Sequence, residues 1–114
     1  EDGMVAVPRE ETGAAFSEHV CDVRDAAEAT VLAVRSEAAV GQAINIAGPE
    51  PFLYTEAGPK LAAEMGVRWA EGRCRGIHSY GLSIEKARKL LGYRPRYGVM
   101  DSLKEALLNW KTPK

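Results

Sequence analysis

A mixed α/β fold is the class this sequence predicts, and three observations predict it. Short stretches of strand length stand at residues 4–7, 16–20 and 43–47. Four other stretches repeat apolar residues at helical spacing. Glycine and proline then cut the chain into short pieces at Gly41, Gly48-Pro49-Glu50-Pro51, Gly66, Gly92 and Pro95. The expected order is strand, strand, helix, strand, helix, strand, strand, helix, helix.

The elements follow in turn. Residues 4–7 read as a strand that Pro8 ends or bends, and residues 9–12 as a polar loop. Residues 16–20 form a second strand. Asp22 then caps a helix over residues 24–36, because its carboxylate can accept from the orphan N–H groups of the first turn. Val23, Ala27, Thr30, Val31 and Val34 lay down the apolar face of that helix, which the other elements are expected to cover. Residues 43–47 are an apolar strand carrying one amide, Asn45, and such runs suit a buried parallel sheet. The chain has few long partner strands, so this one reads as built to join a larger sheet.

A second helix runs over residues 55–65, with Thr55 as its cap and Gly66 as its stop. Pro59 costs only a first-turn bond if Thr55 is the cap, and kinks the helix if it starts earlier. Residues 67–70 read as a strand, 71–79 as a loop and 80–82 as a short strand. Ser83 caps a helix over 84–91 that Gly92 ends. Ser102 and Glu105 fit a capping box for a last helix over 102–110, with Leu103, Ala106, Leu107 and Trp110 on one face.

Composition narrows the function. The chain has 114 residues, enough for one modest core, with 46% hydrophobic and 27% charged residues and a net charge of −1. That balance argues against nucleic-acid or membrane-surface binding, which favours a basic excess. No apolar run approaches the roughly 20 residues that span a bilayer. Cys21 and Cys74 read as reduced thiols, and a cytoplasmic location follows by default. With His19 and His78 the other soft ligands and no close pair among the four, zinc binding is disfavoured. Glu1 in place of an initiator methionine points to a processed chain or a piece of something longer.

Two patterns then resemble a known family. One is Phe16-x-x-His19-Val20-x-Asp22-Val23, a helix, and Gly41-x-x-Ile44-Asn45-Ile46-Ala47-Gly48-Pro49. The other is Ser83-Ile84-Glu85-Lys86-Ala87-Arg88-x-x-Leu91-Gly92-Tyr93-x-Pro95, followed by the closing helix. Together they resemble the C-terminal third of the NAD-dependent epimerase/dehydratase family, the extended short-chain dehydrogenase/reductases. The resemblance implies that residues 1–114 are one substrate-binding subdomain of a larger Rossmann-type enzyme. The partners it implies are an N-terminal cofactor domain of the same protein, a sugar or nucleotide-sugar substrate, and a homodimer. NAD or NADP would serve the intact enzyme, with none expected on this chain alone. The family's glycine-rich turn is absent, since no two of the eleven glycines stand two or three positions apart. Its Tyr-x-x-x-Lys pair is absent too: Gly58, Ile84, Tyr97 and Asp101 follow the four tyrosines at that spacing. No catalytic residue and no catalysis are therefore expected from this chain alone.

The substrate-side candidates are Arg73, Arg75 and Asn45. Arg73 falls close to a family arginine that reaches the substrate diphosphate, and a guanidinium fork suits that anion. Ordinary solvated charge is the competing reading for both arginines. Asn45 is expected to satisfy loop backbone or face the cleft. Ala15 stands where nucleotide-sugar members carry another arginine, and Ser83 where the family has aspartate. His19 reads as a packed, hydrogen-bonded histidine and Asp22 as a cap. The alternative to an enzyme fragment is a free-standing binding or oligomerisation module, marked by an exposed apolar face. An unrelated α/β domain would let strands 16–20 and 43–47 pair directly.

Overall fold

The computed structural model describes residues 3–111. It is mixed α/β, with strands β1 (Met4–Glu10), β2 (Ser17–Glu18), β3 (Phe52–Leu53) and β4 (Arg68–Cys74). The helices are α1 (Val23–Val34), α2 (Tyr54–Met65), α3 (Glu85–Leu91) and α4 (Val99–Lys111), with a 3-10 turn at Glu37–Ala39. The chain forms two compact units, residues 3–18 with 51–81, and residues 19–50 with 82–111.

The first unit is built on a parallel pair. β1 runs beside β4 in the register Val5↔Trp69, Val7↔Glu71, Arg9↔Arg73. Helix α2 packs on the face that carries Val7, which is fully buried. Gly58 permits that approach, because a Cβ there would overlap Val7 Cγ2. β2 and β3 form a second, antiparallel pair. Phe16 stacks on Tyr54 at 5.2 Å between ring centroids, and Phe52 tilts against the same ring at 4.9 Å.

Several expectations for this unit are corrected. β1 continues through Pro8 to Glu10, since a two-stranded sheet leaves one edge unpaired and a proline there breaks no ladder bond. The loops expected at 9–12 and 71–79 therefore begin as strand. Residues 16–20 pair only at Ser17 and Glu18, and their partner β3 had no strand signal. Residues 80–82 form no strand. α2 starts at Tyr54, with Leu53 and not Thr55 at the cap position, so Pro59 sits inside it.

The second unit packs α1 and α3 around Ala29, Ala47, Ile84, Ala87, Leu91 and Tyr93. Asp22 caps α1 as expected, its carboxylate accepting from Arg24 N at 2.9 Å. Gly92, like Gly66 in the first unit, ends its helix in the left-handed region. α3 begins at Glu85 with Ile84 at the cap position; Ser83 Oγ lies 3.5 Å from Glu85 N. α4 begins at Val99, which overturns the capping box. Ser102 lies inside the helix, and its hydroxyl donates to Asp22 Oδ2 at 2.7 Å.

Two corrections bear on function. Residues 43–47 are extended but pair with no strand among the described residues. Ile44 and Ile46 pack on the core, while single bonds hold the backbone, Lys86 Nζ to Ala43 O and Tyr93 Oη to Ala47 O. They do not pair with residues 16–20, as an unrelated domain would have allowed. The apolar face expected of α1 is also turned outward: Val23, Ala27, Thr30, Val31 and Val34 are all exposed. Asp25 and Ala29 are the residues this helix buries.

Candidate substrate-binding site

The carboxyl ends of β1 and β4 bring together the arginines of the first unit. Parallel pairing places Arg9 directly opposite Arg73. Glu71, two residues before Arg73, points to the same side of the strand. Arg9 takes both of its oxygens, Nε to Oε2 at 2.6 Å and Nη2 to Oε1 at 3.0 Å. This fork holds the Glu71 carboxyl below its usual range and raises the guanidinium. Both carboxylate oxygens are thus spent on Arg9. Among the described residues, no carboxylate pairs with Arg73.

Just past β1 the chain turns back. Gly13 N donates to Glu10 O at 2.8 Å, and Glu10 N to Ala14 O at 3.0 Å. Arg9 Nη1 donates to Gly13 O at 3.1 Å, and the Arg73 guanidinium lies against the same glycine. Glu10 anchors the far side, with Ser79 Oγ donating to its Oε1 at 2.6 Å and Ser79 N at 2.8 Å. Those donors, the hydroxyl first, lower the Glu10 pKa. Below them, Tyr54 Oη donates to Glu18 Oε2. Burial first, then that bond, pushes the Tyr54 hydroxyl up to about 12.

The expected site residues have separate settings. Arg73 is exposed and, among the described residues, has no acid partner. Arg75 pairs with Glu11 at 3.2 Å, both well exposed, which is ordinary surface charge. Asn45 belongs to the second unit, and its side chain is exposed, so the expectation of a buried amide is corrected. His19 is buried and hydrogen-bonded, as its position suggested. Leu82 N donates to Nδ1 at 3.0 Å, so the ring proton sits on Nε2, which meets Gly48 O at 2.9 Å. The ring ties three segments together and has no free nitrogen for chemistry.

Asp22 does more than cap. Arg24 donates to both its oxygens, at 2.9 and 3.0 Å, while lying over the Tyr97 ring at 3.7 Å. The Arg24 bonds, then Ser102, hold this carboxyl well below the ordinary range. Among the described residues, no three His, Cys, Asp or Glu side chains are grouped to hold a metal. No helix there is long and apolar enough to cross a membrane.

Arg9, Glu71 and Gly13 escaped the sequence reading. The signal was register: only the β1–β4 pairing sets residue 9 opposite residue 73. Pro8 had argued for ending the strand three residues too soon.

Known proteins supply a frame for this geometry. No protein-family profile and no curated protein sequence matches the chain. Solved structures do. A short-chain dehydrogenase/reductase superfamily protein from Agrobacterium tumefaciens with bound NAD is 28% identical, with a TM-score of 0.84 over 96% of this chain and 33% of its own. RMD from Pseudomonas aeruginosa, complexed with NADPH, matches at 18% identity and a TM-score of 0.77 over 97% of this chain and 36% of its own. The UDP-glucuronic acid 4-epimerase of Bacillus cereus, in complex with NAD, matches at 22% and 0.67 over 87% of this chain and 30% of its own. The last two likenesses are of fold alone. This chain spans about a third of the length of the structures it matches.

Proposed function

We propose that this chain, a segment with the fold of a short-chain dehydrogenase/reductase portion, is the C-terminal, substrate-side subdomain of an NAD(P)-dependent enzyme acting on a sugar or nucleotide sugar. The observation that carries this reading is the likeness, over nearly the whole chain, to one third of an NAD-bound protein. The division of labour follows from the residues present. The left-handed glycines here lie singly in turns and helix ends, not in a cradle between a strand and a helix. The nicotinamide would belong to the preceding part of the enzyme, where it accepts and returns a hydride. This chain's part is to bind and orient. Arg73 offers a charge that no carboxylate among the described residues pairs with, suited to a substrate phosphate or carboxylate.

The outward stripe of α1 and the open edge of residues 43–47 support the same reading. Covering a valine fully contributes roughly 1.5–3 kcal/mol, and three valines of this stripe are exposed. A neighbouring strand would complete the unpaired backbone beside Asn45. The cofactor domain of the same protein would be that cover.

The test is to purify the complete protein that carries this chain and incubate it with NAD or NADP and a panel of sugars and nucleotide sugars. Reduction of the nicotinamide, or conversion of a sugar epimer with the cofactor bound, is expected. A purified complete protein that binds no nicotinamide would contradict the proposal. The exposed stripe also favours a second reading, a free-standing association module that covers the stripe with another chain. A complete protein of this length that self-associates and binds no nicotinamide would be its mark.

A further inference from the structure

We infer that Gly13 is a positioning residue for Arg73, holding its guanidinium ready for an anionic group of the ligand. The inference rests on the substrate-side reading above and adds the means by which the charge is presented. Three observations carry it. Gly13 has φ +90°, a conformation that side chains rarely adopt. A Cβ there would lie 3.1 Å from Arg73 Nη2 and 3.3 Å from Cζ and Nε, so the guanidinium packs directly on the glycine and a side chain there would push it aside. The Gly13 carbonyl is itself held by Arg9 Nη1 at 3.1 Å.

Arg9 thus has two effects. Its fork on Glu71 occupies the carboxylate two residues before Arg73 on the same side of the strand. Its third bond fixes the turn on which Arg73 lies. Arg9 and Glu71 neutralise each other, which leaves the Arg73 guanidinium to meet an anion of the ligand. A carboxylate or phosphate presenting two oxygens would complete its fork.

The experiment titrates the complete protein with uridine diphosphate in one arm and glucuronate in the other. Affinity is read by calorimetry, and the Arg73 Nε–Hε resonance by NMR. In the arm that carries the native anion, R73A weakens binding about tenfold or more. G13A weakens it comparably, and its Arg73 resonance no longer shifts on titration. In the R73A background, G13A changes affinity by less than about twofold, because the two residues act through one contact. Asparagine tolerates positive φ better, so Gly13→Asn replaces G13A if the alanine variant fails to fold. Should R73A bind both ligands as the parent does, the substrate-side role of Arg73 fails and the inference with it. Should R73A lose affinity while the folded Gly13 variant keeps it, the inference alone is overturned. An equal loss from G13A with and without Arg73 would also overturn it.

Discussion

Helices α1 and α3 lie in the same unit and differ in what they bury and what they leave exposed. α3 is ordinary: Ala87 and Leu91 face the core, and Glu85, Lys86, Arg88 and Lys89 face water. α1 inverts this. Its carboxylate Asp25 is fully buried, while Val23 is 79% and Val34 83% exposed. The buried carboxylate is tolerated because it is fully hydrogen-bonded. Arg96 N donates to both its oxygens at 3.0 Å, and Tyr97 N to Oδ2 at 2.9 Å. An amphipathic period therefore says that a helix has two faces. It does not say which face its own chain will cover.

The largest effect is expected from Asp25→Ala. It leaves two backbone donors without a partner and should cost roughly 3 kcal/mol in urea denaturation of the 114-residue chain. An unchanged midpoint would mean that Asp25 does not hold the segment at Arg96 and Tyr97. Next comes Tyr93→Phe. Its hydroxyl donates to Ala47 O at 2.9 Å in the buried core, so its loss should cost about 1–2 kcal/mol.

A smaller effect is a pH dependence at the start of α1. Because Asp22 has its pKa lowered by Arg24 and Ser102 in the folded state, its contribution is fully present above the unfolded carboxyl's pKa of about 3.9. It is lost progressively as the pH falls below that value. Asp22→Asn should flatten this part of the acid limb of a stability-versus-pH curve. A variant with the parent's acid limb would count against the Arg24 and Ser102 contacts.

The smallest effect sharpens the comparison most. Val34→Lys touches only the outward face, so it should shift the stability of the 114-residue chain by no more than about 0.5 kcal/mol. In the complete protein, where the proposed cover lies over it, the same change should lower the unfolding temperature clearly. Equal small shifts in both would remove the cover.

Much of the helical content was legible because its signals are local. Asp22 caps α1, and Gly66 and Gly92 end α2 and α3, through backbone geometry that the residue type itself favours. The strands were less legible. β1 and β4 pair across more than 60 residues and include Pro8, Arg9, Glu71 and Arg73, which read locally as loop. Residues 43–47 carry a real strand pattern without a partner among the described residues. The capping box at Ser102 failed for a tertiary reason, since that hydroxyl serves Asp22 from inside α4. At the candidate site, the sequence could name Arg73 and Arg75 but not separate them. Glu11 pairs with Arg75, and Arg9 takes Glu71 away from Arg73.

The proposed larger nicotinamide enzyme, of which this chain would be one part, can be tested on the intact protein. The most direct test is the mass of the protein in its source cells, by immunoblot with an antibody raised against the 114-residue chain. A band at about three times the mass of that chain is predicted, because the chain matches about a third of its structural relatives. A single band at the mass of the chain itself would contradict the claim and leave the outward face of α1 to another chain.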